Sequence, residues 1–167
     1  MKLSKQKQLS IIGWREWIAL PELGVTAIKA KIDTGARSSA IHAFHVETFS
    51  RNGKHRVRFQ MHPFQRSASK TITAEAEILD EREVRNSGGH AEKRIAILTT
   101  VELQQQRWPI ELTLTNRDVM GFRMLLGRAA VRGNFLVHPG RSYLLSQKPT
   151  DLELSEPEDD DELDFKF

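Results

Sequence analysis

The sequence predicts an all-β fold, and three observations carry that expectation. Apolar and polar residues alternate with a period of two in segment after segment, the pattern of half-buried antiparallel strands. Turn-forming residues fall between those segments. Only Arg128 to Arg132, closed by Gly133, reads as a helix, and it is short. No long amphipathic helices separate the strands, which disfavours a doubly wound parallel sheet and leaves a small barrel or a sandwich.

Ile11–Ile18 reads as the first strand and Pro21 to Gly24 as the first turn. In Thr26–Ile32, Ile28, Ala30 and Ile32 share one face, and Lys29 and Lys31 the other. Ala40–Phe49 is the next strand candidate, followed by an Arg51-Asn52-Gly53-Lys54 turn. Val57, Phe59 and Met61 then alternate with Arg58, Gln60 and His62, and Ile72, Ala74, Ala76 and Ile78 with Thr73, Glu75 and Glu77. Asn86-Ser87-Gly88-Gly89 marks a hairpin tip before a strand over Arg94–Val101. Ile110, Leu112 and Leu114 alternate with Glu111, Thr113 and Thr115. Asn116 to Gly121 turns the chain, and Asn134–Val137 is the last strand candidate. No internal repeat is visible.

With 167 residues, 39% hydrophobic and 28% charged, the chain has the make-up of one folded domain carrying a tail. The absence of cysteine excludes a disulfide framework, a catalytic thiol and a thiolate zinc cluster. No run approaches the roughly 20 apolar residues that span a bilayer, so no membrane association is expected. The basic start, Met1 to Leu9, lacks the apolar stretch of a secretory signal, and a cytoplasmic location is the expectation.

The formal charge of +3 hides an asymmetry. Nine acids and one base lie between Pro149 and Phe167, which leaves 24 bases and 13 acids, a net +11, in residues 1 to 148. A body that basic prefers acidic partners. The division expected is a flexible basic N-terminus over 1–9, a folded domain over 10–148 and an acidic disordered tail over 149–167. That tail reads first as a solvated, solubilising extension. The alternative is an internal occupant of the basic surface.

One segment breaks the alternation. In Ile32-Asp33-Thr34-Gly35-Ala36 an apolar strand ends in a carboxylate, then a hydroxyl residue, then glycine. A carboxylate at the mouth of a core strand acts as acid or base when a neighbour splits its pKa. An ordinary Asx turn at a strand end has the same composition. The second half of the signal is Met124-Leu125-Leu126-Gly127-Arg128. Asp-Thr-Gly-Ala upstream and Leu-Leu-Gly-Arg near the end of a small all-β chain resemble a retropepsin, the single-lobe aspartic protease.

The resemblance narrows further. Ile12-Gly13-Trp14-Arg15-Glu16, Lys29 to Ser39, Val57-Arg58-Phe59 and Leu112 to Arg117 running on to Leu125-Leu126-Gly127-Arg128 are similar to one bacterial family, the RimB type. Its members accompany ATP-grasp glutamate ligases and were formerly labelled ATP-dependent zinc proteases. The resemblance implies a retropepsin-like barrel with one short helix. It also implies a cytoplasmic aspartic endopeptidase acting on a glutamylated small-subunit ribosomal protein, with the ligase as a partner.

Aspartic proteases need two carboxylates sharing a proton. This chain has a single Asp-Thr-Gly, so the resemblance requires a homodimer with Asp33 from each copy at the two-fold axis. The two aspartates would titrate as a coupled pair. Thr34 is expected to lock the two loops together, and Gly35 to present a carbonyl to substrate. Leu125, Leu126, Gly127 and Arg128 are expected behind the loop, where Gly127 allows close contact. Ala36 and Arg37 are expected to bind substrate. So are Arg85, Gly88 and Gly89 in a flap, the hairpin from Arg82 to His90 that closes over the cleft. Arg37 stands where retroviral enzymes carry an acid, and a cation there favours an acidic substrate. Arg85, Arg94, Arg117 and Arg128 would extend that preference.

Two other classes compete. A zinc peptidase would draw on His42, His45 and Glu47, but His-Glu-x-x-His is absent, and residues three apart on a continuous strand point to opposite faces. A catalytically silent binding module for acidic proteins or nucleic acid suits the basic body. Against nucleic acid, aromatic residues are only 7%, and Trp14, Trp17 and Trp108 do not interleave with the bases. No Walker-type phosphate loop occurs, so neither ATP hydrolysis nor any cofactor or metal is expected.

Overall fold

The computed structural model describes residues 8–63, 70–85, 88–116 and 121–149. Most of the expected basic lead, nearly all of the acidic tail, Asn86, Ser87 and Arg117 therefore lie outside the described residues.

Eleven strands and one short helix make up the described chain. The strands are β1 (Ser10–Gly13), β2 (Arg15–Leu20), β3 (Val25–Asp33), β4 (Ser39–His42), β5 (Phe44–Arg51), β6 (Lys54–Met61), β7 (Ile72–Arg85), β8 (Ala91–Leu103), β9 (Gln106–Thr115), β10 (Met124–Gly127) and β11 (Phe135–His138). The helix α1 covers Arg128–Val131, and a single 3-10 turn at Pro21–Leu23 fills the first predicted turn.

Nine strands form one sheet in the order β2-β3-β10-β4-β9-β8-β7-β6-β5, and β8 returns to β2 through the pair Ala19 and Glu102. That return closes β2, β3, β10, β4, β9 and β8 into a ring, and β7, β6 and β5 extend outward from it. The outcome is the barrel rather than the sandwich. Its lining is the apolar face read from the sequence: Ile28, Ala30 and Ile32 join Ile41, Ile97, Leu112, Met124 and Leu126 in one buried cluster. The long β7–β8 and β5–β6 hairpins are antiparallel, the latter turning at Asn52 and Gly53 with φ of 52° and 76°, a tight hairpin turn.

The structure differs from the alternation pattern in three places. β3 with β10, β4 with β9, and β1 with β11 pair in parallel, which two-residue periodicity does not distinguish from antiparallel pairing. The predicted strand over Ile11–Ile18 breaks at Trp14, because β1 pairs β11 outside the barrel while β2 enters it. The predicted strand over Ala40–Phe49 breaks at Ala43, whose N–H donates to the Thr115 carbonyl at 2.8 Å. From there β4 stays in the ring and β5 leaves to pair β6.

One edge of β2 is covered by the chain after β11 rather than by a strand. Trp14 N–H donates to the Arg141 carbonyl at 2.8 Å, and Tyr143 N–H to the Arg15 carbonyl at 3.0 Å. Trp17 N–H donates to Ser146 Oγ at 2.8 Å. Glu16, fully buried, fastens this segment. Its carboxylate accepts from the N–H groups of Gly13 (3.1 Å), Leu144 (2.9 Å) and Leu145 (2.9 Å), and from the Ser146 hydroxyl (2.9 Å). A buried carboxylate is tolerated when its lone pairs are filled in this way.

Candidate active site

Asp33 ends β3 at the rim of the barrel and is half-buried, while Thr34 and Gly35 are exposed. The loop after it is held by the aspartate itself: Oδ1 accepts from Gly35 N–H at 2.9 Å and Ala36 N–H at 3.2 Å. Only Oδ1 is used by these loop bonds, so Oδ2 stays outside them. The Asx turn expected of a strand end is therefore present, and its bonds leave the second carboxylate oxygen outside them.

Behind the loop lies β10, parallel to β3 with Gly127 in register with Asp33, and antiparallel to β4 on its other side. Glycine is required at 127 by space. An added Cβ would lie 2.5 Å from the Ser38 carbonyl carbon, 2.6 Å from its oxygen and 2.8 Å from the Arg37 carbonyl oxygen. Gly127 N–H donates to Ser39 Oγ at 3.0 Å, and Thr113 Oγ1 donates to the Ser39 carbonyl at 3.0 Å. The start of α1 completes the brace, with Arg128 N–H donating to the Ala36 carbonyl at 2.7 Å and Ala129 N–H to that of Arg37 at 3.1 Å. Leu125 and Leu126 are buried beneath this contact.

Asp33, Thr34, Gly35, Ala36 and Arg37 are thus brought together with Leu125, Leu126, Gly127 and Arg128. Arg85, Gly88 and Gly89 sit elsewhere, exposed at the tip of the β7–β8 hairpin. The base of that hairpin is stiffened by Arg82, which meets Asp80 at 2.8 Å and Glu111 of β9 at 2.7 Å. The two acids push the Arg82 guanidinium pKa further up, and Arg82 holds the Asp80 carboxyl below its ordinary value.

Two expectations about side chains are corrected. Arg94 is turned to Glu92 at 3.2 Å with its side chain 10% exposed, and Arg128 spends Nη1 on the Thr34 carbonyl at 2.9 Å. The Arg94 contact is structural, and the exposed Arg128 braces the Thr34 end of the Asp33 loop. The opposite-face argument about His42 and His45 also lapses, because the strand breaks between them and His45 has a φ of 48°. Both rings flank Phe44, with centroids 6.2 and 5.1 Å from its own, and His45 Nδ1 meets Gln60 Oε1 at 2.6 Å. Among the described residues no three His, Asp or Glu side chains converge as metal ligands.

Reading the sequence missed the charged residues of β2 and β3 that are buried: Arg15, Glu16 and Lys29. The signal available was Arg15-Glu16 interrupting an otherwise apolar strand. Nothing local says that a segment some 130 residues later closes over it.

A closed β-barrel with a single Asp-Thr-Gly loop, backed by a Leu-Leu-Gly-Arg strand, defines the class of retropepsin-like modules. The family comparison is more specific: the model described as retropepsin-like aspartic endopeptidase RimB matches residues 11–148, and the chain belongs to this RimB-like family. A protein named probable alpha-L-glutamate ligase from Shewanella pealeana is 47% identical over 146 residues, covering 87% of this chain and 32% of that protein. One of the same name from Desulfotalea psychrophila is 41% identical over 145 residues, 87% of this chain and 31% of that one. The chain spans about a third of the length of the curated relatives it matches. A crystal structure of a protein of unknown function from Legionella pneumophila superposes with a TM-score of 0.67 at 25% identity, covering 83% of this chain and 99% of the other. Among the described residues no helix is long and apolar enough to cross a membrane.

Proposed function

We propose that this chain is an aspartic endopeptidase that works as a homodimer on acidic, glutamate-extended protein C-termini. The observation that carries the reading is Asp33, presented at the barrel rim on a loop that both its own Oδ1 and the Gly127–Ala129 brace hold in place. One such carboxylate per chain supplies half of an aspartic dyad, so a second copy completes it. In the dyad the ionised carboxylate takes a proton from water as the water oxygen attacks the scissile carbonyl carbon. The protonated partner gives its proton to the carbonyl oxygen. In the collapse of the tetrahedral intermediate the second aspartate takes a proton from its hydroxyl, the C–N bond breaks, and the first aspartic acid gives the departing amine the proton it had taken from water. A dyad of two close carboxylates keeps one proton because both cannot ionise at short range.

The substrate class is supported by two further points. The exposed Arg37 stands beside the loop, and the relatives named as glutamate ligases carry a matching third within much longer chains. The ligase name belongs to those whole proteins, whereas the matched part contains the Asp-Thr-Gly loop. A family partner that adds glutamates and a module that removes them form a consistent pair.

The test is mass spectrometry of a peptide ending in oligoglutamate, incubated with the wild type and with Asp33→Asn. Cleavage by the wild type alone is expected, with at least a 10³-fold loss in the variant. Cleavage by both removes Asp33 from the mechanism. Charge reversal at Arg37 should depress cleavage of the glutamate peptide more than that of a neutral one, and equal losses would remove Arg37 from specificity.

A further inference from the structure

The wall of the barrel parts beside β8. β7 follows β8 from Arg85 back to Ile78 and then leaves it, because Ile72 to Glu77 pair β6 instead. β2 meets β8 only at Ala19 and Glu102. Between these two contacts Leu98, Thr99, Thr100 and Val101 pair β9 on one side, and no described strand occupies their other edge. In an antiparallel ladder alternate residues aim both N–H and C=O at the same neighbour. Two of these four residues therefore turn their backbone groups to the open edge.

A cleft of about 500 Å³ fills the gap, with Glu22 and Leu23 of the 3-10 turn at its foot. Leu23 and Ile78 give it apolar walls, and Leu98 stands at its rim, 56% exposed. Two of its lining residues carry a buried polar atom that has no partner among the described residues: Thr99 Oγ1, in a residue 2% exposed, and Arg56 Nε. The acids around Arg56 are engaged elsewhere. Glu75 is paired with Arg51 at 2.9 Å and with Arg58 at 2.8 Å. Glu77, opposite Arg56 in register, is turned to Lys54 at 3.6 Å, and Glu22 accepts from the Thr100 hydroxyl. The charge left unmet in the cleft is the Arg56 guanidinium. A buried group without its hydrogen bond is where an incoming polar chain gains most.

We propose that this cleft docks an extended peptide segment, which adds to the open edge of β8 as a short strand and sets a carboxylate on Arg56. Main-chain bonds to the edge supply affinity in strand addition, and the pockets beside it supply selectivity. Four open residues match a segment of about the same length. A guanidinium matches carboxylate geometry, so an acidic side chain is selected at one position, while an apolar neighbour packs on Leu23 and Ile78. The place is distinct from the Asp33 loop. β3 starts at Val25, just after the 3-10 turn, and ends at Asp33, about 26 Å further on by strand rise. The docking therefore holds whether or not Asp33 cuts peptide bonds.

The experiment uses the full chain carrying Asp33→Asn, so that no probe is cut. The probe is the blocked peptide acetyl-Val-Thr-Val-Glu-Val-amide, compared with its Gln counterpart and with a fully N-methylated version that cannot donate from its backbone. The backbone amide NMR signals of Leu98 to Val101 should shift saturably with the Glu peptide, and the N-methylated version should bind at least tenfold more weakly. Arg56→Gln should weaken the Glu peptide at least fivefold and leave the Gln peptide within twofold. Absence of a saturable shift at Leu98 to Val101 overturns the proposal, and so does equal binding of the N-methylated peptide. Equal losses for both peptides in Arg56→Gln overturn the carboxylate contact. Sodium butyrate moving the same signals at the same concentration makes the cleft a small-anion site and overturns strand addition. None of these readouts is cleavage, so failure of the endopeptidase reading leaves them intact.

Discussion

Glu16 and Asp33 both use carboxylate oxygens to organise nearby backbone, at the same end of the β2–β3 pair, and they differ in how completely they are used. Glu16 is fully buried, and both its oxygens are taken by four donors from two separate stretches of chain. Asp33 is half-buried, and among the described residues only Oδ1 is engaged, by two amides of its own loop. A carboxylate with every lone pair filled is an anchor. One with an oxygen to spare, on a loop braced from behind, is equipped for chemistry. The contrast teaches that burial and saturation, rather than residue type, separate an acid spent on structure from one left available in this fold.

Glu16→Ala is the harshest test of that contrast. It strands three backbone N–H groups and a hydroxyl, and the expected cost is about 3–5 kcal/mol. For a domain of this size the melting temperature should fall by roughly 10 °C or more. Asp33→Asn should move it by no more than about 2 °C. A large drop for Asp33→Asn, or none for Glu16→Ala, measured by thermal unfolding, breaks the distinction.

Gly127→Ala comes next. The added methyl meets the Ser38 backbone at 2.5 Å, so the Asp33 loop must shift, at a cost of about 1–3 kcal/mol. Oligoglutamate cleavage should fall at least 100-fold while the chain stays folded, because a displacement of about 1 Å at a catalytic group has that effect. A fall in melting temperature matching that of Glu16→Ala would show the loop to be as much a part of the core as Glu16.

The smallest effect is expected from exposed acids paired with arginine. Hydrogen bonds from Arg58 and Arg51 hold the Glu75 carboxyl below its ordinary 4.5, and Arg82 holds that of Asp80 below 3.8. A lowered carboxyl pKa stabilises the fold above the unfolded-state value, and that contribution is lost as pH falls through the folded value. Both groups are exposed and screened, so the change in stability is slight. Carboxyl NMR titration should place both midpoints below those ordinary values. Midpoints at or above them would remove the arginine pairing.

The sequence made legible what repeats locally. Alternation placed Ile28, Ala30 and Ile32 on the core face of β3 and Ile110, Leu112 and Leu114 in β9, and the two motifs located the Asp33 loop and its brace. Pairing direction was not legible, since parallel and antiparallel strands share the same period. Neither was the closure of the ring at Ala19 and Glu102, nor the fastening of Leu144 and Leu145 to Glu16, because these depend on residues far apart in the chain. Arg94 was misread for a similar reason: a basic residue in a strand does not announce that an acid two positions away has claimed it.

The parallel pairing of β1 with β11 bears on how the molecule answers to force. Traction applied to the chain at the start of β1 and the end of β11 pulls the two strands past one another along their length. The ladder bonds from Ser10–Phe135 to Gly13–His138 then share the load instead of parting one at a time. Beyond β11, the segment from Arg141 to Ser146 must first be stripped from β2 and from Glu16 before tension arrives at that ladder. An unfolding motor gripping residues 150–167 would therefore meet two barriers in series, and the Asp33 loop would keep its shape until the second gave way.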